Sequence, residues 1–200
     1  KKRKRHEMIL SSFTKLKFAT RRQLQVLHGL GSDRNALRIL RELSEYLHVR
    51  TYDGMNVYYL SPLGRDTVGV EEELKWNQNV GHHLMRNDLY LYLDTPESWE
   101  VERRVSFKYS EGLVVGKEMS LVPDARFREK DTQYFVEVDL TQGMAANKKK
   151  IEMYHYLSQV LGRPSILIFY TLTELRREKL TALCAQYNLH HRIYTKEDTR

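Results

Sequence analysis

Two apolar runs joined by a short polar connection constrain this 200-residue chain more than any other feature. Leu121 to Arg128 and Gln133 to Leu140 are rich in Val, Phe and Leu, and Glu129-Lys130-Asp131-Thr132 between them predicts a hairpin connection. Alternation along the second strand puts Phe135, Glu137 and Asp139 on one face and Tyr134, Val136 and Val138 on the other. Asp124 falls at the mouth of the neighbouring strand. Three carboxylates converging on one patch of sheet repel one another unless a cation joins them. The two candidates are a lysine and a divalent metal, and hard oxygen ligands suit Mg2+ or Mn2+.

The sequence around this pair predicts a regular succession of elements. A long helix is expected from about Glu71 or Trp76 to Leu93, burying Val80, Leu84, Leu91 and Tyr92. Strands follow at Trp99 to Tyr109, 119–128 and 133–140, then a helix at 144–161 and an apolar strand, Ser165 to Tyr170. That fourth strand lacks alternation, as expected of one covered on both faces by helices. A helix from Glu174 to Tyr187 and a strand from His191 to Thr195 complete the order.

The first third reads differently. Met8, Ile9, Phe13, Leu16 and Phe18 form an apolar helical face, and Thr20 is placed to cap a second helix, Arg21 to His28. Ser32 caps a third helix from about Asp33 to Tyr46, with Leu37, Leu40, Leu43 and Leu47 as its buried stripe. Its other face carries Arg34, Asn35, Arg38 and Arg41. Val49 to Tyr52 and Asn56 to Leu60, joined through Asp53-Gly54-Met55, predict a hairpin. Three helices and a hairpin make a winged helix-turn-helix, whose third helix suits the major groove of double-stranded DNA. Arginine and asparagine pair bidentately with guanine and adenine edges. Arg21, Arg22, Tyr52 and Asn56 are better placed for phosphate. The bland alternative is a solvated basic helix face in a protein-interaction domain.

Charge follows the same division. Residues 1–70 hold 14 Lys and Arg against 6 Asp and Glu, and the other 130 hold 19 against 20, so all of the +7 net charge lies in the first third. A basic module joined to a near-neutral one is the footprint of a nucleic-acid-binding protein. The domain boundary is expected near residues 68–75, giving 1–70 and 71–200. The Lys1–Arg5 run alone says little, because such tails are usually disordered. A single cysteine, Cys184, and no apolar run of membrane-spanning length fit a cytoplasmic protein. The chain does not begin with Met, which suggests sequence upstream of Lys1.

Pro123-Asp124 followed by Glu137-Val138-Asp139 resembles the metal-binding motif of the PD-(D/E)xK nuclease-like superfamily. Together with the N-terminal module, the layout is similar to the replication-relaxation family of plasmid and mobile-element proteins. The resemblance implies an α+β and α/β chain: a winged helix, then an αβββαβ nuclease-like domain around a central mixed sheet. It implies Asp124, Glu137 and Asp139 as metal ligands and catalytic acids for Mg2+ or Mn2+, with nicking of DNA by a metal-activated water. The sequence departs from the motif at Asp139, where a lysine is expected, and Lys150 follows the pattern of a lysine migrated onto the next helix. Lys148 and Lys149 compete with it for the inward position, although Lys150 shares a helix face with Tyr154. Thr141 and Gln142 are placed to orient substrate. An upstream acid among Glu73, Glu100 and Glu102 would complete such a site, Glu102 being slightly preferred. His82 and His83 face two directions, so one is expected in the core and one exposed.

The resemblance implies action in replication initiation or DNA relaxation and transfer. The alternative is a non-catalytic accessory factor whose second domain binds DNA or a partner such as a relaxase or replication initiator. A transcription regulator, read out as a homodimer on a palindromic site, would need a ligand pocket that this acid cluster fits poorly.

Overall fold

A computed structural model describes residues 2–111, 114–140 and 142–199. The fold is mixed α/β, and the chain divides into two compact units, Lys1–Leu91 and Tyr92–Arg200.

The first unit begins with helix α1 (Lys2–Leu16), which buries Ile9, Leu10, Phe13 and Leu16. Lys2 to Arg5 of the basic run, expected to be a disordered tail, are thus its first turn, and Met8 faces solvent rather than the core. Strand β1 (Ala19–Thr20) leads into α2 (Arg21–Leu27), and Thr20 caps it as expected. The cap is reciprocal: the Gln23 amide N–H donates to Thr20 Oγ1, and the Thr20 N–H donates to the Gln23 side chain. Ser32 likewise caps α3 (Asp33–Glu42). That helix ends at Glu42, short of the expected Tyr46, so Leu47 opens a strand instead of closing the helical stripe. Its buried residues are Ala36, Ile39 and Leu40, while Leu37 is only half-buried. Strands β2 (Leu47–Tyr52) and β3 (Met55–Leu60) pair antiparallel about Asp53-Gly54, both at positive φ as a tight hairpin turn requires. The sheet order is β1-β3-β2. Helix α4 (Pro62–Val68) follows, capped by Ser61.

Helix α5 (Val80–Tyr92) starts later than expected, and residues 71–79 are not helical. Val80 and Leu84 are buried, but Tyr92 is exposed. The boundary expected near residue 70 also moves, because α5 satisfies polar groups of the first unit. Asn87 Nδ2 donates to the carbonyls of Leu16 and Phe18 at 3.2 and 2.6 Å, and Arg86, fully buried, reaches those of Lys15 and Leu16. These are the carbonyls that a helix end leaves unpaired. Gln23 adds bonds to the Leu84 carbonyl and to Asp88.

The second unit holds a five-stranded sheet and a separate hairpin. The expected first strand is two, β4 (Glu100–Val101) and β5 (Val105–Glu111), and the expected second is β6 (Val114–Leu121) and β7 (Ala125–Glu129). Glu102 at φ 52 breaks the one, and Pro123, which has no N–H to donate, breaks the other. Consequently, among the described residues, β5 and β6 pair only with each other. Strand β8 (Thr132–Asp139), helix α6 (Met144–Val160), strand β9 (Ser165–Thr171), helix α7 (Glu174–Gln186) and strand β10 (His191–Thr195) follow as expected. The sheet order is β10-β9-β8-β7-β4, parallel across β8, β9 and β10 and antiparallel across β8, β7 and β4. Leu167 to Thr171 are buried without interruption, as their lack of alternation predicted. Phe135, Leu167 and Phe169 pack under Ile151, Tyr154 and Leu157 of α6 and Leu180 and Cys184 of α7.

Gly64 tests the packing of the first unit. A Cβ there would run into the backbone carbonyl of Tyr46, which cannot swing aside. Gly64→Ala is expected to lower stability by about 3 kcal/mol, the upper range of overpacking, measured by urea denaturation.

Candidate functional site

Strand β8 delivers Glu137 and Asp139 to the face covered by α6, on the side that Phe135 also takes. Both carboxylates are 1% exposed. A buried carboxylate needs partners on each oxygen, and α6 supplies them for Glu137 one turn apart. Tyr154 donates its O–H to Glu137 Oε1 at 2.6 Å, and Lys150 Nζ pairs with Oε2. Of the three consecutive lysines, Lys150 is the one that reaches the acid, while Lys148 and Lys149 are exposed.

Asp124 lies just before β7 and joins this centre through the backbone. Its N–H donates to the Val136 carbonyl at 3.1 Å, and its Oδ2 accepts from the Val138 N–H at 2.7 Å. Burial, and next the Asp124 charge, push the Glu137 carboxyl up to about 8, against the pull of Lys150 and Tyr154. Burial works against the charge of Lys150, but Glu137 and Asp124 outweigh it and its pKa is raised. The Tyr154 phenol is driven well above its usual range by burial and then by Glu137.

Asp139 belongs to a different set. Arg176, near the start of α7, grips it through two bonds of 2.7 Å, Nε to Oδ2 and Nη2 to Oδ1. Asn147 Nδ2 adds 3.0 Å to Oδ1, and Thr171 Oγ1 adds 3.2 Å to Oδ2. Arg176 Nη2 also donates to the Gln142 carbonyl at 2.5 Å, tying down the connection before α6. Thr141 lies outside the described residues. The expected convergence of Asp124, Glu137 and Asp139 is therefore corrected: the two strand acids face separate cations, and among the described residues no three of His, Cys, Asp and Glu gather to hold a metal. Sequence reading missed Arg176, Asn147 and Thr171. Arg176 and Thr171 reach the end of β8 only through the topology of α7 and β9, so no local pattern marked them, whereas Asn147 shares the helix face of Lys150 three residues on, a spacing the sequence does carry.

The upstream acids do not complete a cluster. Glu100 pairs with Arg126 across β4 and β7 at 2.6 Å, Glu73 is exposed, and the Glu102 N–H donates to the Asp124 carbonyl at 3.3 Å. His83 is buried as expected of one of the pair, whereas His82, expected to be exposed, is half-buried.

In the first unit, Arg34, Arg38 and Arg41 share the exposed side of α3. Arg38 is held between Asn35, at 2.8 Å, and Glu42, which also takes Lys2 and His6 on its other oxygen. Asn35, expected to read bases, instead donates to the Leu30 carbonyl at 2.7 Å and accepts from Arg38. Arg21 bonds Gln25 and Asp33, fixing the start of α2 to the start of α3. Arg22 and Asn56 are exposed. Tyr52, expected at phosphate, is half-buried with its hydroxyl against Gly81.

A mixed α/β chain with a basic helical unit and a buried acid–lysine centre on a sheet is what these elements define. The chain belongs to the replication-relaxation family, whose profile matches residues 10–164. A solved structure, protein VC1899 from Vibrio cholerae, is similar at 15% identity with a TM-score of 0.44, covering 98% of this chain and 52% of that one. The chain thus spans about half the length of that protein. No curated protein matches it. Among the described residues, no helix is long and apolar enough to cross a membrane.

Two outcomes test the centre. Arg176→Ala strands the buried Asp139 charge and is expected to cost about 3 kcal/mol in urea denaturation, with Lys a poor rescue because it lacks the two-pronged fork. Glu137 has a folded pKa above its unfolded one, so its contribution is complete below about pH 4.5 and fades as pH rises through about 8. The melting temperature of the wild type should fall between pH 6 and 9 more steeply than that of Glu137→Gln, where the group cannot ionise.

Proposed function

We propose that this is a DNA-binding protein of a plasmid or other mobile element, acting in replication initiation or in DNA relaxation and transfer. In this reading the first unit is a winged helix that docks on duplex DNA. The observation that carries it is the row Arg34, Arg38 and Arg41 along the exposed side of α3, a helix set by two capped turns. Positions i, i+4 and i+7 share one helix face, so the three guanidinium groups form a stripe suited to a groove. Arg34 and Arg41 meet bases or phosphates directly. Asn35 and Glu42 hold Arg38 within the protein, so it adds positive charge to the stripe while Arg34 and Arg41 make the contacts.

The second unit is read as a nuclease-like scaffold that serves as a docking element, for DNA or for a protein such as a relaxase or replication initiator. The Mg2+ or Mn2+ implied by the resemblance does not fit its donors as arranged. Both Glu137 oxygens are taken by Tyr154 and Lys150, and Asp139 is saturated by Arg176, Asn147 and Thr171. The cations at the two strand acids are Lys150 and Arg176, so this reading contains no hydrolytic step. Folds of this kind host inactive members.

Fluorescence anisotropy with a labelled duplex tests the docking surface. Arg34→Ala and Arg41→Ala should each weaken binding by about tenfold and flatten its salt dependence by about one phosphate contact where the arginine meets the backbone. Equal affinity in the double variant would leave only the bland reading of a solvated helix. Calorimetric titration of Mn2+ beside a supercoiled-plasmid assay tests the second unit. No uptake and no nicking are expected; uptake lost in Glu137→Ala, with nicked plasmid for wild type alone, would establish metal-dependent nicking instead.

A further inference from the structure

Among the described residues the β5–β6 hairpin adds no strand to the five-stranded sheet and packs instead along α6. Val105, Phe107 and Leu121 pack against the apolar cluster beneath α6 and account for its attachment. Tyr109, Tyr156 and His155 lie outside that cluster and are only half-buried. Their rings nevertheless form a continuous row. Tyr109 meets Tyr156 at 4.6 Å between centroids, Tyr156 meets His155 at 5.8 Å, and His155 meets Tyr187 at 5.8 Å. Glu152 accepts from the Tyr156 hydroxyl at 3.1 Å and fixes the tilt of that ring.

Cations flank the row on both elements. Lys117 is the direct cross-strand partner of Tyr109, so both project from the same face of the hairpin. Lys149 lies seven residues before Tyr156 on α6, two turns along the same helix face. Both lysines are exposed. A row of half-exposed rings with ammonium groups beside it is the chemistry that holds unpaired bases: rings stack on the bases whatever their sequence, and the lysines track the phosphates. A duplex keeps its base faces stacked internally and offers nothing to such rings.

We propose that the row of Tyr109, Tyr156 and His155, with Lys117 and Lys149, binds single-stranded nucleic acid, its inner end anchored by Tyr187, which packs against the core and whose carbonyl meets His155 Nδ1 at 3.0 Å. The surface is separate in chemistry from the arginine stripe of α3 and takes a different substrate form.

The test is anisotropy of a labelled oligothymidine of about 20 nucleotides, and of a duplex, with the full chain. Replacing Tyr109 and Tyr156 together by Leu keeps apolar bulk but removes the rings. It should weaken oligothymidine binding about tenfold or more and leave duplex binding unchanged, while the double Phe variant retains both. Arg34→Ala with Arg41→Ala should do the reverse, losing duplex and keeping oligothymidine, so failure of this surface and failure of the duplex reading are told apart. Thermal melts report whether the Leu variant keeps its fold. If it does not, Lys117→Gln with Lys149→Gln decides: a weaker, less salt-dependent complex supports the surface, and unchanged affinity overturns it. Absence of oligothymidine binding by the wild type, or unchanged binding by a folded Leu variant, overturns it as well.

Discussion

Burying Glu137 on the covered face of β8 determines how α6 must lie. A carboxylate removed from water needs a donor on each oxygen, and α6 brings two from positions four apart, Lys150 and Tyr154. That spacing fixes the rotation of the helix about its axis. With Lys150 and Tyr154 facing the strand, Asn147 also turns inward and meets Asp139, the next residue on the same face of β8. Ile151 and Leu157 fall into the apolar layer at the same time. A helix slipped by one residue would leave Glu137 without either partner and take Asn147 from Asp139. Such buried polar contacts add little net stability over an apolar core, but losing one partner is costly. Here they specify one alignment of helix on sheet.

The same logic connects Asp139 to α7. An acid at this position, where the nuclease-like pattern expects a lysine, adds negative charge to a buried edge that already holds Glu137. One lysine cannot serve both carboxylates, because successive same-face residues on a strand are about 6.8 Å apart. The second cation comes from Arg176, whose fork closes on both oxygens of Asp139 and whose Nη2 also reaches the Gln142 carbonyl. Asp139 with its partners thus makes this end of the sheet a junction of β8, β9, α6 and α7.

Much of this was legible before the fold was known, and the line between legible and hidden is physical. Alternation in β8 gave the face of Glu137 and Asp139, Thr20 and Ser32 announced their helices, and Lys150 with Tyr154 was readable from helical spacing. Each of these depends on residues near one another in the chain. Arg176 was hidden because it lies 37 positions from Asp139 and becomes its neighbour only through the parallel pairing of β8 with β9. The place of α5 was hidden for a similar reason: its bonds to Leu16 and Phe18 span about 70 positions and leave no periodicity. The split strands were recoverable in part, since Pro123 cannot donate within a ladder, whereas Glu102 at positive φ carries no composition signal.

On the proposed reading, charge and rings would divide the work of nucleic-acid contact in a way that composition alone conceals. The excess of basic residues in the first third points to one binding surface, yet several of those residues are committed within the protein. Arg21 holds Asp33, and Arg38 and Lys2 hold Glu42. The near-neutral second unit, by contrast, needs no net charge to hold an unpaired strand, because stacking on Tyr109 and Tyr156 acts on the bases and only a few lysines need meet phosphate. Net charge therefore measures how strongly a surface attracts a duplex backbone, and it understates a surface that works through rings. Opening DNA at an origin or relaxing it presents both forms at once, a duplex flank and an unpaired strand. A chain with a guanidinium stripe and an aromatic row has a separate chemistry for each.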